Sequence, residues 1–433
     1  MDKLVIQGGT ALHGTIPVSG AKNAALPILI STLVSPGTHY FENVPDLVDI
    51  NSTLSLLGRI GCPSLKKAND NGVGQKIQLD TSRIAFSEAP YDVVRKMRAS
   101  VLVLGPLLAR CGSARVSLPG GCAIGVRPID QHLKGLEALG CSFDLVGGYI
   151  EGKVDHLKGS EVNLSMPTVT GTENILMAAV LADGVTTINN AAREPEIVNL
   201  ADFLRQMGAR IQGDGTSTIE VDGVPALRPS RSPFAIMGDR IEAGTYLLMG
   251  AISKGDVTLT NAPVESLKVI LARLKDAGLG VESGADWVRV FWQGKLNPVS
   301  IETTPYPGFP TDMQAQWMTL MTQANASSSI SERIFENRFM HVAELHRLGA
   351  RVDINGSVAH VRGEDSLFGA TVMATDLRAS ASLVMAGLAA EGLTEVLRIY
   401  HLDRGYESLI QKIRSVGGKI VRVPSNKNVE SID

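Results

Sequence analysis

The chain has 433 residues, 44% apolar and 20% charged, and its 41 lysines and arginines against 44 aspartates and glutamates leave a formal charge of −3. That length is enough for two or three domains, and the slightly acidic total argues against nucleic acid as the main partner, because such proteins carry a basic excess. A local basic pocket for a small anion is still compatible with it.

In chain order, the opening MDKLVIQGGT has an acidic second residue and no long apolar run, so no signal peptide is expected. Six segments then follow one internal plan. Each begins with a small-residue-rich apolar stretch of helical character: AKNAALPILISTLV, MRASVLVLGPLLA, GTENILMAAVLA, RIEAGTYLLMGAIS, TDMQAQWMTLMTQA and TDLRASASLVMAGLAA. None is long enough to span a bilayer. A strand-like stretch comes next (GTHYFENV, SARVSLPG, GVTTINNA, GDVTLTNA, SSSISERI, GLTEVLRI), then an amphipathic helix with a glycine stop. The stops, Gly61, Gly140, Gly208, Gly278, Gly349 and Gly417, recur roughly every 70 residues, which predicts a six-fold repeat.

The two helix types differ in pattern. Leu267, Ile270, Leu271 and Leu274 fall at i, i+3, i+4 and i+7, as do Ile197, Leu200, Ala201 and Leu204 after Pro195, giving one apolar face for a sheet. The first type is apolar on nearly every side and is expected to be buried all round. Its polar residues gather at the start: Lys22, Asn23, Arg98, Asp239 to Glu242, Asp312, Asp376 and Arg378. Asp239, Asp312 and Asp376 read as helix caps. Lys22, Arg98 and Arg378 oppose the helix dipole at a cost of about 0.3–1 kcal/mol each, which points to a bound anion that dipole and side chain both serve.

Within SLPGGCAIGVRP, Cys122 follows two glycines and lies five residues before Arg127, a setting for a reactive thiol. Cys62, Cys111 and Cys141 read as packing residues, and the four cysteines lack metal-ligand or C-x-x-C spacing, as expected of free thiols in a cytoplasmic protein. The eight histidines form no H-E-x-x-H pattern, and no P-loop or dinucleotide fingerprint follows a strand. No metal, ATP or NAD is expected, hence no cofactor.

SGAKNAALP, LPGGCAIGVRPID, AAREPEIV, GFPTDMQAQ, FENRFMH, DLRASASLV and DRGYE, in that order over nearly the whole chain, resemble the enolpyruvyl transferase family, in particular its UDP-N-acetylglucosamine branch. The resemblance implies an α/β fold, a two-domain inside-out α/β barrel of six βαβαββ repeats, three per domain. It places one domain at 22–237, carrying the Cys122 lid loop, and the other at 1–21 plus 238–433, with the active site in the cleft between them. It implies transfer of the enolpyruvyl group of phosphoenolpyruvate to the 3-hydroxyl of UDP-N-acetylglucosamine, with loss of phosphate, at the entry to peptidoglycan precursor synthesis. These small molecules are the partners it implies, with no nucleic acid and no membrane insertion.

Residue by residue, the resemblance assigns Lys22, Asn23, Arg127 and Arg404 to phosphoenolpyruvate and Cys122 to general acid catalysis toward C3. Asp312 is the base for the sugar hydroxyl or the group that positions it. Asn23, Arg98, Arg127, Pro128, Ile129, Asp130, Gln131, Thr168, Val169, Asp312 and Ile334 are assigned to the nucleotide sugar. Met166 stands where some members carry a lysine, which shifts the expected pyrophosphate contact to Thr168 and backbone amides. His132 reads as a helix-surface residue. The shikimate-pathway branch of the family lacks the loop cysteine, and a sensor without catalysis would be expected to have lost Lys22, Cys122, Asp312 or Arg404. A Cys–His thiol enzyme using His132 or His341 has no supporting motif.

Overall fold

Each of the six buried helices comes after a short edge strand in the chain, and that order recurs. A computed structural model describes residues 2–69, 73–94, 97–118, 129–363 and 366–432. The described residues form six four-stranded sheets with one pairing scheme: an edge strand parallel to its neighbour, followed by two antiparallel pairings. Within a repeat the chain runs edge strand, buried helix, second strand, amphipathic helix, then a hairpin, as in Glu88–Ala89, Leu104–Cys111, Ser113–Ser117, Asp130–Ala138, Ser142–Val146 and Tyr149–Lys153. This is a βαβαββ unit.

Two units emerge from the packing, one of residues within 20–237 and one of 2–19 with 238–432. In the first, Phe234–Ala235 closes the set by pairing in parallel with Thr38–Val44 of the opening repeat. In the second, the chain start completes two sheets. Asp2–Gln7 lies between Leu393–Leu397 and Lys419–Pro424, with Val5 opposite both Glu395 and Val421, and His13–Pro17 pairs in parallel with Asp256–Thr260. Each unit has its own apolar core. Phe203 meets Phe41 and Phe234 at 5.2 and 5.1 Å in one; Trp317 meets Phe309 at 5.4 Å in the other and donates its indole N–H to the Val299 carbonyl.

The buried helices are enclosed as their composition predicts: every residue from Arg378 to Leu388 is buried. Three hydroxyls inside them turn back on their own helices, Thr245 to the Ile241 carbonyl, Thr319 to Ala315 and Ser382 to Ala379, so burial leaves these three satisfied. All six glycine stops end the amphipathic helices at φ between 84° and 109°. At Gly61, for instance, the left-handed turn lets the Cys62 N–H reach the Leu57 carbonyl and close the helix Val48–Ile60. Among the described residues no helix is long and apolar enough to cross a membrane.

Candidate active site

The polar ends of the buried helices carry most of the residues singled out from the sequence. In the second unit Asp312 lies in the short turn Thr311–Met313 that leads into the helix Gln314–Met321. It does not occupy an N-cap position, those being Pro310 for the turn and Met313 for the helix, which corrects the reading of it as a helix cap; Asp239 and Asp376 do cap, each accepting two backbone N–H groups. Asp312 is instead gripped by two arginines. Its Oδ1 accepts Nη2 of Arg338 at 2.6 Å, and its Oδ2 accepts Nε and Nη2 of Arg378 at 3.1 and 3.0 Å. Both guanidiniums are buried while the carboxylate is 28% exposed, so it is the accessible face of the cluster.

Around this clamp the polar groups are ordered in sequence. Arg338 Nη1 donates to the Thr311 hydroxyl, which donates on to Glu332. Glu332, itself buried, also accepts the Thr303 hydroxyl and the N–H groups of Ile334 and Phe335, which shapes the turn bearing Ile334. On the other side Arg378 lies over the Tyr406 ring, and the Tyr406 hydroxyl meets Thr245 Oγ1 and Gln316 Nε2. Burial pulls the Arg378 guanidinium down, but Asp312 and neighbouring acceptors outweigh it and hold the group above its usual range. Arg404, half-buried, ends the turn Ile399–Arg404 just before Tyr406.

In the first unit, Lys22 opens the helix Lys22–Ser31 and its ammonium meets Asp49 Oδ2 at 3.2 Å, both side chains nearly buried. Lys22 and Arg378 thus each face a carboxylate of the protein; the reading of them as cations awaiting an anion overlooked these partners. Asn23 is exposed and Arg98, at the start of the turn Arg98–Val103, is half-buried. Ile129 and Asp130 begin the helix Asp130–Ala138. Gln131 is spent on the neighbouring loop: its Oε1 accepts the Ser165 and Met166 N–H groups, and its Nε2 donates to the Met166 carbonyl. Those amides are therefore engaged within the protein, Met166 itself is exposed, and Thr168 caps the helix Val169–Ala179 by accepting from the Gly171 N–H. Cys122, Arg127 and Pro128 lie outside the described residues.

His132 is buried, not on the helix surface as expected, because the helix carrying it packs against Val169–Ala179. The Gly105 N–H fixes Asn174 Oδ1 as its acceptor, so Asn174 Nδ2 donates to His132 Nδ1, and His132 holds its proton on Nε2 toward Thr170 Oγ1. Burial, then Arg98, lowers its pKa to about 4, which keeps the ring neutral. Cys111 is exposed rather than packed, whereas Cys62 and Cys141 are buried as expected.

The family model described as EPSP synthase (3-phosphoshikimate 1-carboxyvinyltransferase) matches residues 6–413. A relative from Geotalea uraniireducens (strain Rf4), named UDP-N-acetylglucosamine 1-carboxyvinyltransferase, is 54% identical over 98% of this chain and 100% of its own length. The chain belongs to the enolpyruvyl transferase family. A Myxococcus xanthus (strain DK1622) protein of the same name is 54% identical over 98% of this chain and 99% of its own. Among solved structures, the enolpyruvyl transferase NikO from Streptomyces tendae superposes with a TM-score of 0.87 at 25% identity, covering 98% of this chain and 99% of that one. EPSP synthase from Acinetobacter baumannii, at 0.76 and 17% identity over 98% and 100%, shares the fold.

Within this enolpyruvyl transferase the sequence reading passed over Arg338, Glu332, Gln316 and Tyr406. Arg338 and Tyr406 stand inside FENRFMH and DRGYE, the very motifs that carried the resemblance. An arginine flanked by two aromatics is a signal for an ordered guanidinium, and Arg338 does lie over the Phe335 ring at 5.3 Å. Glu332 and Gln316 carry no such signal, since their partners are backbone and hydroxyl groups brought together only by the fold.

Proposed function

We propose that this enolpyruvyl transferase moves the enolpyruvyl group of phosphoenolpyruvate to the 3-hydroxyl of UDP-N-acetylglucosamine and releases phosphate, the first committed step of peptidoglycan precursor synthesis. The observation that carries it is 54% identity, over 98% of the chain, to relatives bearing that enzyme's name. A protein handling this soluble nucleotide sugar is assigned to the cytoplasm.

The chemistry asks for cations around phosphate and carboxylate, a proton for C3 and a partner for the attacking hydroxyl. Lys22, Arg127 and Arg404 supply the first: the arginines as planar forks, the lysine as a point charge. Cys122 supplies the proton; a thiol normally near pKa 8.5 is brought toward the working pH by neighbouring cations. Asp312 takes the third role. Its Oδ1 accepts one N–H and its Oδ2 two from buried guanidiniums, which fixes the carboxylate, while the side chain stays 28% exposed and can meet a sugar hydroxyl. This geometry favours Asp312 as the group that aligns the hydroxyl. Asn23, Arg98, Ile129, Asp130, Thr168, Val169 and Ile334 hold the nucleotide sugar, with Gln131 acting through the 165–166 loop.

The test is phosphate release from phosphoenolpyruvate, with UDP-N-acetylglucosamine or 3-phosphoshikimate as acceptor, in wild type, Cys122→Ser and Cys122→Asp. Release that needs the nucleotide sugar, is lost in Ser and survives in part in Asp is expected. Release with 3-phosphoshikimate alone would replace the acceptor, and no acceptor-dependent release would end the assignment.

A further inference from the structure

Ser19 is the last residue of the second unit before the chain passes into the first, three positions ahead of Lys22. Every polar group it owns is engaged. Its N–H donates to Glu242 Oε2 at 2.6 Å, and its carbonyl accepts the Asp239 N–H at 2.9 Å. Its hydroxyl accepts from Lys412 Nζ at 2.6 Å and donates to Glu407 Oε2 at 2.6 Å. The direction is forced, because an ammonium can only donate and a carboxylate only accept. Lys412 also donates to Glu242 Oε1 at 2.8 Å, so one ammonium serves a carboxylate and a hydroxyl, and that hydroxyl reaches the second carboxylate. All are buried: Ser19 is 2% exposed, Glu242 1%, Glu407 7% and Lys412 4%.

Such a cluster is a poor source of stability. Removing charges from water costs about as much as their attraction returns, and an apolar replacement of similar volume is often as stable. What a fully hydrogen-bonded buried network delivers is one geometry. Here that geometry concerns DRGYE. Arg404 ends the turn Ile399–Arg404, and from Gly405 to Ser408 no regular element holds the chain. Two neighbouring side chains hold it instead. Tyr406 reaches Thr245 and Gln316, and Glu407 reaches Ser19. Gly405 packs closely on Leu377, whose Cδ2 would lie 2.7 Å from a Cβ added there.

We propose that Ser19, Glu407, Lys412 and Glu242 are positioning residues for phosphoenolpyruvate binding: they fix the segment that presents Arg404 and, through the same hydroxyl, the residue from which the chain departs toward Lys22. The inference rests on the assignment of Arg404 and Lys22 to phosphoenolpyruvate. The hydrogen bonds among these four residues are other than those by which Arg338 and Arg378 hold Asp312.

Ser19→Ala removes the shared hydroxyl, and a charge-assisted hydrogen bond of this kind predicts a rise of about tenfold in KM for phosphoenolpyruvate, with KM for UDP-N-acetylglucosamine unchanged. Ser19→Thr, which keeps the hydroxyl, restores the value. Glu407→Gln keeps an acceptor and the volume but drops the charge, and gives a smaller rise confined to the same substrate. An equal rise in both KM values, no rise in either folded variant, or loss of cooperative melting in both would overturn the proposal. Amide hydrogen exchange at Gly405 and Tyr406, both bonded to the Leu402 carbonyl, reads the anchoring without reference to activity. Faster exchange in Ser19→Ala with no acceptor-dependent phosphate release in wild type keeps the anchor and removes the reaction. Unchanged exchange with an active wild type keeps the reaction and removes the anchor.

Discussion

Arg378 approaches Asp312 side-on, its Nε and Nη2 sharing one carboxylate oxygen at 3.1 and 3.0 Å, while Arg338 takes the other at 2.6 Å. The carboxylate therefore does two jobs: it neutralises two buried guanidiniums and offers its exposed side to solvent. Asp312→Ala leaves those cations facing each other and is expected to cost about 3 kcal/mol in urea unfolding, the scale of breaking a buried ion pair. Asp312→Asn keeps the shape and one acceptor. It should unfold nearer to wild type yet release phosphate at least about a hundredfold more slowly, since a misaligned hydroxyl or an absent base each cost that much. A wild-type rate in Asp312→Asn would remove the carboxylate from the chemistry altogether.

Thiol reactivity separates the cysteines. Burial pushes the Cys62 thiol up to about 11 and Cys141 up to about 12, and partial desolvation by the surrounding protein raises Cys111 as well, although that residue reaches the surface. Since only the thiolate attacks, Cys62 at pH 8 is ionised in roughly one molecule per thousand. Iodoacetamide at that pH should label Cys122 first, with Cys62 and Cys141 untouched until the chain unfolds. Peptide mass mapping over a time course decides it. Labelling of Cys111 as fast as Cys122 would show that the loop thiol is not activated.

Much of the architecture is legible in the chain because the physics behind it is local. A helix that packs on one sheet needs an apolar stripe, a helix enclosed on all sides needs none, and a left-handed stop wants glycine; Ile197 to Leu204, Arg378 to Leu388 and Gly61 each state one of these cases. Sheet closure was not legible in this way. Nothing in DKLVIQ says that it will lie between strands some 390 and 420 positions away, because strand pairing depends on which edges the rest of the fold leaves open. The site divides similarly. Lys22, Asp312 and Arg378 announce themselves as charges at helix starts, but their mutual partners do not, since Asp49 and Arg338 reach them only through packing. His132 misled for the same reason: its neighbours in sequence are polar, and its burial comes from the helix Val169–Ala179.

Acid should destabilise the fold through its buried histidines. Burial lowers the pKa of His132, His39 and His341 to about 4 each, against 6.5 for the exposed ring. As pH falls the unfolded chain takes up these protons first. The contribution is therefore fully present above about pH 6.5 and is lost progressively toward pH 4, at up to about 1.4 kcal/mol per pH unit for each ring. In thermal melts, His132→Gln should reduce the loss of stability between pH 7 and 4.5 by about a third of the histidine share. Melting curves of variant and wild type that fall in parallel with pH would show that His132 is protonated in the fold.

Two helical glycines should respond to alanine with opposite signs. Alanine in an exposed helix is normally worth about 1 kcal/mol over glycine. At Gly58, in Val48–Ile60, an added Cβ meets nothing within 4 Å, so Gly58→Ala should raise the melting temperature. At Gly105, in Leu104–Cys111, the same atom would lie 2.3 Å from the Asn174 carbonyl oxygen and 2.5 Å from its Oδ1. That oxygen accepts the Gly105 N–H at 2.7 Å and thereby orients the amide that holds His132. Relief of the clash means parting two packed helices or turning Asn174 away from three partners, so Gly105→Ala should cost about 2 kcal/mol or more despite its better helix propensity. The same turn would release His132, and the variant should therefore also lose part of the acid sensitivity assigned to that ring. A stabilised Gly105→Ala would mean that the two helices have slack at this crossing and that Asn174 is not the fixed point on which the His132 tautomer depends.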